Sequence, residues 1–179
     1  MSSELVLCET VTILCPGPSL ANAPHVDGIV YGVNRAAILR PVTHWVALDW
    51  ISDLPGGGII NWASQVQGSP ELTTSKNSKE SLLRKGFKWP TPLNVIAELP
   101  YLSPTINYSL FTATAAMVHA ASIGAKTINI YGMTMAGKLD ADGIEAGYNR
   151  SETRWAKETE IVNQLIQELS EYGCKVIRN

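Results

Sequence analysis

Short apolar runs, separated by polar or glycine-containing turns, recur along the chain. The clearest runs cover residues 11–14, 28–33, 44–48, 127–131 and 175–177. They are rich in β-branched side chains and too short for buried helices, so they predict strands that are covered on both faces.

Helical patterns lie between several of these runs. Residues 35–40 form a short segment of helix-favouring residues that follows Asn34. Residues 112–123 are rich in alanine and nearly all apolar, which predicts a buried helix ending at Gly124. A third helix is predicted before Gly173 by apolar residues that share one helical face: Trp155, Val162, Leu165, Ile166, Leu169 and Tyr172.

The alternation of strands and helices predicts a parallel sheet with helices on both faces. We therefore expect a single Rossmann-like α/β domain over residues 1–179. Between about residues 53 and 109 the pattern weakens, and this segment is predicted to be an irregular insertion with one short helix near residues 81–84.

Composition and charge narrow the range of partners. The 179 residues are 45% hydrophobic and carry a formal net charge of −2, which argues against binding to a polynucleotide. The three cysteines include no C-x-x-C pair, and no apolar run approaches the roughly 20 residues of a membrane span. We expect a cytoplasmic protein without a membrane span; the oligomeric state is open.

Parallel α/β sheets bind ligands beyond the carboxyl ends of their strands, at the point where the strand order reverses. The loop after the first strand contains Gly17, Pro18 and Ser19. Its glycine would allow a close approach of backbone to an anion, and its serine could cap the following turn, which outlines a phosphate cradle. The alternative is a tight structural turn, since Pro and Gly commonly end strands.

Two further strand ends carry polar side chains. Asn34 could cap the helix that follows it, or its amide could hydrogen-bond a nucleobase or ribose. Asp49 could hold a ribose hydroxyl, or it could start the turn before Trp50.

The starts of the two long helices supply the remaining candidates. Thr112 and Thr114 could combine hydroxyl groups with helix N-terminal amides to bind an anion or ribose, although ordinary capping would explain one of them. Arg150 and Arg154 are one turn apart and suit phosphate binding. The alternative for Arg154 is an ion pair with Glu158 on a solvated helix face.

The histidines favour no metal site. His25 and His44 lack partners at metal-ligand spacing, and His119 lies within the apolar helix, where a packed core histidine is the simplest interpretation.

Taken in order, these pieces resemble the GPSL-type bacterial sialyltransferases and the related motility-accessory-factor glycosyltransferase-like and hydroxymethylpterin pyrophosphokinase-like domains. The resemblance rests on the Gly17-Pro18-Ser19-Leu20 loop, the strand ends at Asn34 and Asp49, and the segment from Thr112 to Tyr131-Gly132. It covers both ends of the chain and leaves the middle unmatched.

The resemblance implies that the GPSL loop, Asn34 and Thr112 bind a nucleotide and that Asp49 faces the sugar or ribose. The chain differs from these enzymes at Pro16 and Thr134, and no histidine lies near Arg154 and Trp155, where the sialyltransferases carry their catalytic histidine. An arginine pair at that position could instead stabilise the phosphates of a leaving group.

These observations lead to one function and two alternatives. We expect a glycosyltransferase-like enzyme that uses a nucleotide-sugar donor. Gly17, Pro18, Ser19, Asn34, Thr112, Thr114 and Arg150 would bind the nucleotide, and Asp49 and Arg154 would be catalytic. The alternatives are diphosphate transfer or nucleotide hydrolysis with Mg²⁺, and a nucleotide-binding module without catalysis.

Overall fold

The computed structural model describes residues 9–51, 57–96, 111–145 and 150–179. These residues form a seven-stranded parallel sheet with helices packed against it. The sheet and helices confirm the predicted α/β Rossmann-like fold.

The elements alternate along the chain in the manner that the sequence predicts. The strands are β1 (Thr10–Leu14), β2 (Ile29–Val33), β3 (His44–Val46), β4 (Glu71–Thr74), β5 (Leu93–Val95), β6 (Thr127–Tyr131) and β7 (Lys175–Arg178). The helices are α1 (Ala36–Leu39), α2 (Ile59–Trp62), α3 (Lys76–Arg84), α4 (Thr112–Ser122) and α5 (Glu152–Glu171), and a 3₁₀ turn covers Pro18–Asn22.

The strand order is β5-β4-β3-β2-β1-β6-β7. β1 pairs with β2 on one side and with β6 on the other, as expected for the three most apolar runs. From β1 the chain builds the sheet toward β5, and after α4 it returns to add β6 and β7 on the opposite side. The order therefore reverses between β1 and β6, which is where this fold class binds ligands.

The segment expected to be an irregular insertion is instead part of the sheet. Within the described part of residues 53–109, β4 pairs with β3 and β5 pairs with β4. The helix expected near residues 81–84 is α3, which begins earlier, at Lys76. Residues 53–56 and 97–109 lie outside the described residues.

The described residues form three apolar cores, and the two larger ones contain most of the buried side chains. The larger core packs α4 and α5 against β1 and β6, and α4 is buried along almost its whole length, as predicted. The second core surrounds Trp45 and Leu72 on β3 and β4 and includes side chains from α2 and α3. No helix in the described ranges is long and apolar enough to cross a membrane.

Candidate functional site

A cleft opens at the carboxyl end of the sheet, at the reversal point between β1 and β6. It contains about 570 Å³ of space, part of which is open to solvent. Its lining comes from the ends of β1 and β2, the start of α4, the loop after β6 and the start of α5: Cys15, Pro16, Gly17, Val33, Asn34, Phe111, Thr112, Ala113, Gly132, Met133, Thr134, Met135, Ala136, Leu139, Arg150, Trp155 and Glu158. We call it the switch-point cleft.

The GPSL loop packs against the loop after β6. The backbone N–H of Gly17 donates to the carbonyl oxygen of Gly132 at 3.0 Å, and the N–H of Ser19 donates to Thr134 Oγ1 at 3.2 Å. A Cβ on Gly17 would lie 2.5 Å from the Gly132 oxygen, so this contact requires a glycine. The two amides expected to cradle a phosphate therefore form hydrogen bonds within the protein.

Only some of the predicted residues meet in the cleft. Gly17, Asn34, Thr112 and Arg150 line it, as the strand-end argument predicts. Pro18 and Ser19 lie in the 3₁₀ turn outside the lining, where the Ser19 hydroxyl is 3.0 Å from Thr134 Oγ1. Thr134 lines the cleft and holds Ser19 beside it, and convergence of Ser19 with Asn34 and Thr112 on one ligand stays a prediction.

Asn34 follows β2 in a left-handed backbone conformation, with φ of 50°. Asparagine adopts this conformation more readily than most residues. Its N–H donates to the carbonyl oxygen of Val46, its own carbonyl accepts from Trp45 Nε1, and the residue preceding α1 is Arg35. The expected capping role is therefore wrong, while the position of Asn34 in the cleft is as predicted.

Asp49 lies outside the cleft. It is exposed at the end of the segment that contains β3, and its carbonyl oxygen accepts from the N–H of Ile59 at 3.1 Å. β3 is two strands away from β1, and the cleft reaches only as far as β2. Asp49 is therefore not among the residues that line this cleft.

The N-terminus of α4 opens into the cleft. Phe111 precedes the helix without any side-chain capping bond, and both Phe111 and Thr112 line the cleft. The Thr114 hydroxyl donates to the Phe111 carbonyl at 3.0 Å, which turns it back toward the helix. Helix N-terminal amides lack intrahelical acceptors and carry a partial positive charge, so this end of α4 favours an anion.

Arg150 belongs to a buried network that local sequence patterns did not reveal. Its Nη2 atom lies 2.8 Å from Asp140 Oδ1, and Arg35 Nη1 lies 2.7 Å from Asp140 Oδ2. Arg35 also pairs with Asp142, and this hydrogen bond holds the pKa of Asp142 below its usual range. The network joins the segment after β2, the loop after β6 and the start of α5.

Arg154 forms an ion pair with a glutamate on the same helix. Its Nε atom lies 2.6 Å from Glu158 Oε1, one turn along α5. Arg154 lines a second cleft, together with Phe111, Ser151, Thr153, Lys157, Glu158 and Ile161. Arg150 pairs with Asp140 and lines the switch-point cleft, whereas Arg154 pairs with Glu158 and lines the second cleft; binding of one phosphate by both arginines stays a prediction.

Several lining residues were not singled out from the sequence. Phe111, Met133, Met135 and Trp155 make much of the cleft wall apolar, and the Trp155 indole donates to the carbonyl oxygen of Gly137 at 3.0 Å. Phe111, Met133 and Met135 lie outside the periodic segments, where no pattern indicates which way a side chain points, whereas Trp155 belongs to the apolar face predicted for the last helix. Cys15 lines the floor, but burial raises the pKa of its thiol to about 12, so it is not a nucleophile near neutral pH.

His119 is a core residue, as predicted. Its ring lies edge-on to Tyr31 at 5.3 Å and is 5.9 Å from His44, and only 5% of the residue is exposed. Among residues 9–51, 57–96, 111–145 and 150–179 there is no group of three His, Cys, Asp or Glu side chains that could hold a metal ion.

Comparisons with known proteins provide no family for this chain. No protein-family model matches it, and neither the curated proteins nor the solved structures contain a match.

Proposed function

We propose that the switch-point cleft binds the nucleotide part of a nucleotide-activated sugar and that the protein transfers the sugar. One observation carries the proposal: an apolar cleft lies at the reversal point of a parallel sheet, and the N-terminus of α4 opens into it. This combination suits a ligand with a flat apolar ring at one end and a phosphate at the other.

The apolar wall supports the nucleobase part of the proposal. Phe111, Met133, Met135 and Trp155 offer aromatic and polarisable surfaces, which suit a base because every base has a π-face. Asn34 supplies one donor and one acceptor group at the same cleft, which is the chemistry that reads the polar edge of a base.

The phosphate is proposed to bind at the start of α4. The Gly17 and Ser19 amides already have acceptors within the protein, so they do not support a phosphate at the GPSL loop. Thr112 adds a hydroxyl group to the first turn of α4 at the cleft. In a sugar transfer, this helix end would stabilise the negative charge that develops on the departing nucleotide.

The test is a binding screen followed by a turnover assay. Thermal-shift measurements with nucleosides, nucleotides and nucleotide-sugars of all common bases, with and without Mg²⁺, should identify a stabilising base, because a ligand that binds the native state raises the melting temperature. Release of free nucleotide from the stabilising nucleotide-sugar, with and without sugar acceptors, then measures turnover.

Two variants locate the site. Asn34→Gly keeps the left-handed conformation but removes the amide, and Thr112→Val removes one hydroxyl. Each should weaken nucleotide binding by about 1–3 kcal/mol, the cost of a lost buried hydrogen bond. Asp49→Asn is the control and should leave the affinity unchanged, because Asp49 lies outside the cleft. Absence of nucleotide binding, or equal affinities for all four proteins, would reject the proposal.

A further inference from the structure

The second cleft adjoins the switch-point cleft at the start of α5. The two share Phe111 and Glu158 in their linings, so a single extended ligand could reach from one to the other. The second cleft contains about 880 Å³ of space, including open solvent, which is more than a single phosphate fills. We call it the α5 cleft.

The chemistry of the two clefts differs. The walls of the switch-point cleft are largely apolar, whereas the α5 cleft is lined by the hydroxyl residues Ser151 and Thr153 and by the cations Arg154 and Lys157. Hydroxyl groups with an arginine and a lysine form a typical phosphate-binding set, because they supply several hydrogen-bond donors together with positive charge.

We propose that the α5 cleft binds the second phosphate of the same ligand, so that the substrate class is a nucleoside diphosphate, free or linked to a sugar. This inference rests on the proposed function, which puts the base and the first phosphate in the switch-point cleft. The second phosphate then extends past Phe111 and Glu158 toward Arg154 and Lys157.

Glu158 sets the orientation of Arg154, and the charged residues that line the α5 cleft still carry a net positive charge. The Arg154–Glu158 ion pair fixes the guanidinium beside the boundary of the two clefts, and the glutamate side chain is only 11% exposed. Glu158 neutralises one of the two positive charges. Lys157 carries the other; it is exposed and takes part in no ion pair within the described ranges. An added phosphate would balance this charge.

Calorimetric titration with a matched series of ligands tests the inference. The series consists of the nucleoside, monophosphate and diphosphate of the base found in the screen, together with inorganic pyrophosphate. The parent protein should bind the diphosphate about tenfold or more tightly than the monophosphate, since a charged group that contacts two cations adds a strong interaction. Equal affinity for the two nucleotides in the parent would overturn the inference.

Lys157→Gln should weaken binding of the diphosphate and of pyrophosphate about fivefold or more and change the monophosphate affinity less than twofold. Lys175→Gln is the control: it removes the same charge from an exposed lysine at the start of β7, at the opposite end of the sheet, and should change nothing. The double variant Arg154→Gln/Glu158→Gln removes the guanidinium without leaving a buried carboxylate unpaired, and it should show the same selective loss as Lys157→Gln.

The outcomes separate this inference from the proposed function. If nucleotides bind but Lys157→Gln and the double variant keep their preference for the diphosphate, the α5 cleft is not the phosphate site and the nucleotide proposal stands. If no nucleotide binds, the proposed function fails, and titration with pyrophosphate then tests the α5 cleft by itself. Binding that is lost in Lys157→Gln supports an anion site in the α5 cleft, and absence of pyrophosphate binding up to millimolar concentration rejects it.

Discussion

At the residue scale, burial determines what the titratable side chains can do. His119 lies in the core of the domain, and burial, together with repulsion from nearby His44, lowers its pKa to about 4. Its Nδ1 atom is buried without a hydrogen-bond partner among the described residues. The side chain is therefore neutral at neutral pH and contributes an aromatic surface to the contact with Tyr31.

This pKa predicts how stability depends on pH. His119 takes up a proton at about pH 4 in the folded state and near its ordinary value of about 6.5 in the unfolded state. The unfolded state therefore binds more protons between these values, and the free energy of unfolding should decrease as the pH falls from about 6.5 to 4, by about 3 kcal/mol. Urea unfolding at several pH values measures this decrease.

The variant His119→Phe keeps an aromatic ring and removes the titration. The free energy of unfolding of this variant should depend on pH less steeply across this range. The decrease in slope corresponds to the loss of up to one proton taken up on unfolding. His25→Phe is the control for replacing a histidine by phenylalanine, at a position that is largely exposed. Identical slopes for His119→Phe and the parent would show that the histidine does not resist protonation in the folded protein.

At the scale of elements, the network around Asp140 holds the wall of the cleft together. The Asp140 side chain is fully buried, and each of its oxygens accepts from an arginine, one beside α1 and one before α5. The neighbouring N–H of Ala141 donates to the carbonyl oxygen of Pro16, which ties the same loop to the end of β1. These contacts fix the segments after β1, β2 and β6 and the start of α5 relative to one another.

Asp140→Asn should destabilise the protein strongly. A neutral amide cannot balance two buried guanidinium groups, and breaking a buried ion pair commonly costs about 3–5 kcal/mol. Asp142→Asn is the matched control, because the Asp142 side chain is 27% exposed and its only ion pair among the described residues is with Arg35, so that we expect a loss of about 1 kcal/mol. Urea unfolding of both variants gives the two losses of unfolding free energy. Equal losses would show that Asp140 stabilises the fold no more than Asp142 does.

At the scale of the whole molecule, one continuous sheet joins the two larger apolar cores. Four of the five tryptophans lie in or against the second core: Trp45, Trp50, Trp62 and Trp89. The ring centroids of Trp45 and Trp89 are 5.4 Å apart. Tryptophan fluorescence therefore reports mainly on the half of the sheet that contains β3, β4 and β5. Far-UV circular dichroism reports on the entire sheet and its helices.

The shared sheet predicts that the chain unfolds in one step. Fluorescence and circular dichroism should follow the same urea transition, since coincident transitions mark a single cooperative unit. Leu72→Ala in the second core should lower both midpoints together, at a cost of about 2–5 kcal/mol. Leu83→Ala removes the same atoms from an exposed position on α3 and should have little effect. An earlier fluorescence transition would show that β4 and β5 unfold separately.

Much of the fold is predictable from the sequence, because its strongest signals are local. The runs that form β1, β2 and β6 are apolar and β-branched, and they occupy the middle of the sheet, where both faces are buried. The apolar composition of α4 and the apolar stripe of α5 likewise predict how each helix packs. The position of the cleft follows as well, because it depends on the fold class and on where the strands end.

The tertiary structure decided what the residues at those strand ends do. The sequences of β4 and β5, Glu-Leu-Thr-Thr and Leu-Asn-Val, are too short and too polar to indicate strands by themselves, and they form strands because β3 offers an edge for pairing. Arg35 and Asp140 are 105 residues apart, so no local pattern could link them. A separate ion pair of Asp140 with Arg150 holds Arg150 in the wall of the cleft. The sequence determined most of the elements, since periodicity is local, whereas β4, β5 and the partners of polar side chains depend on contacts that only folding creates.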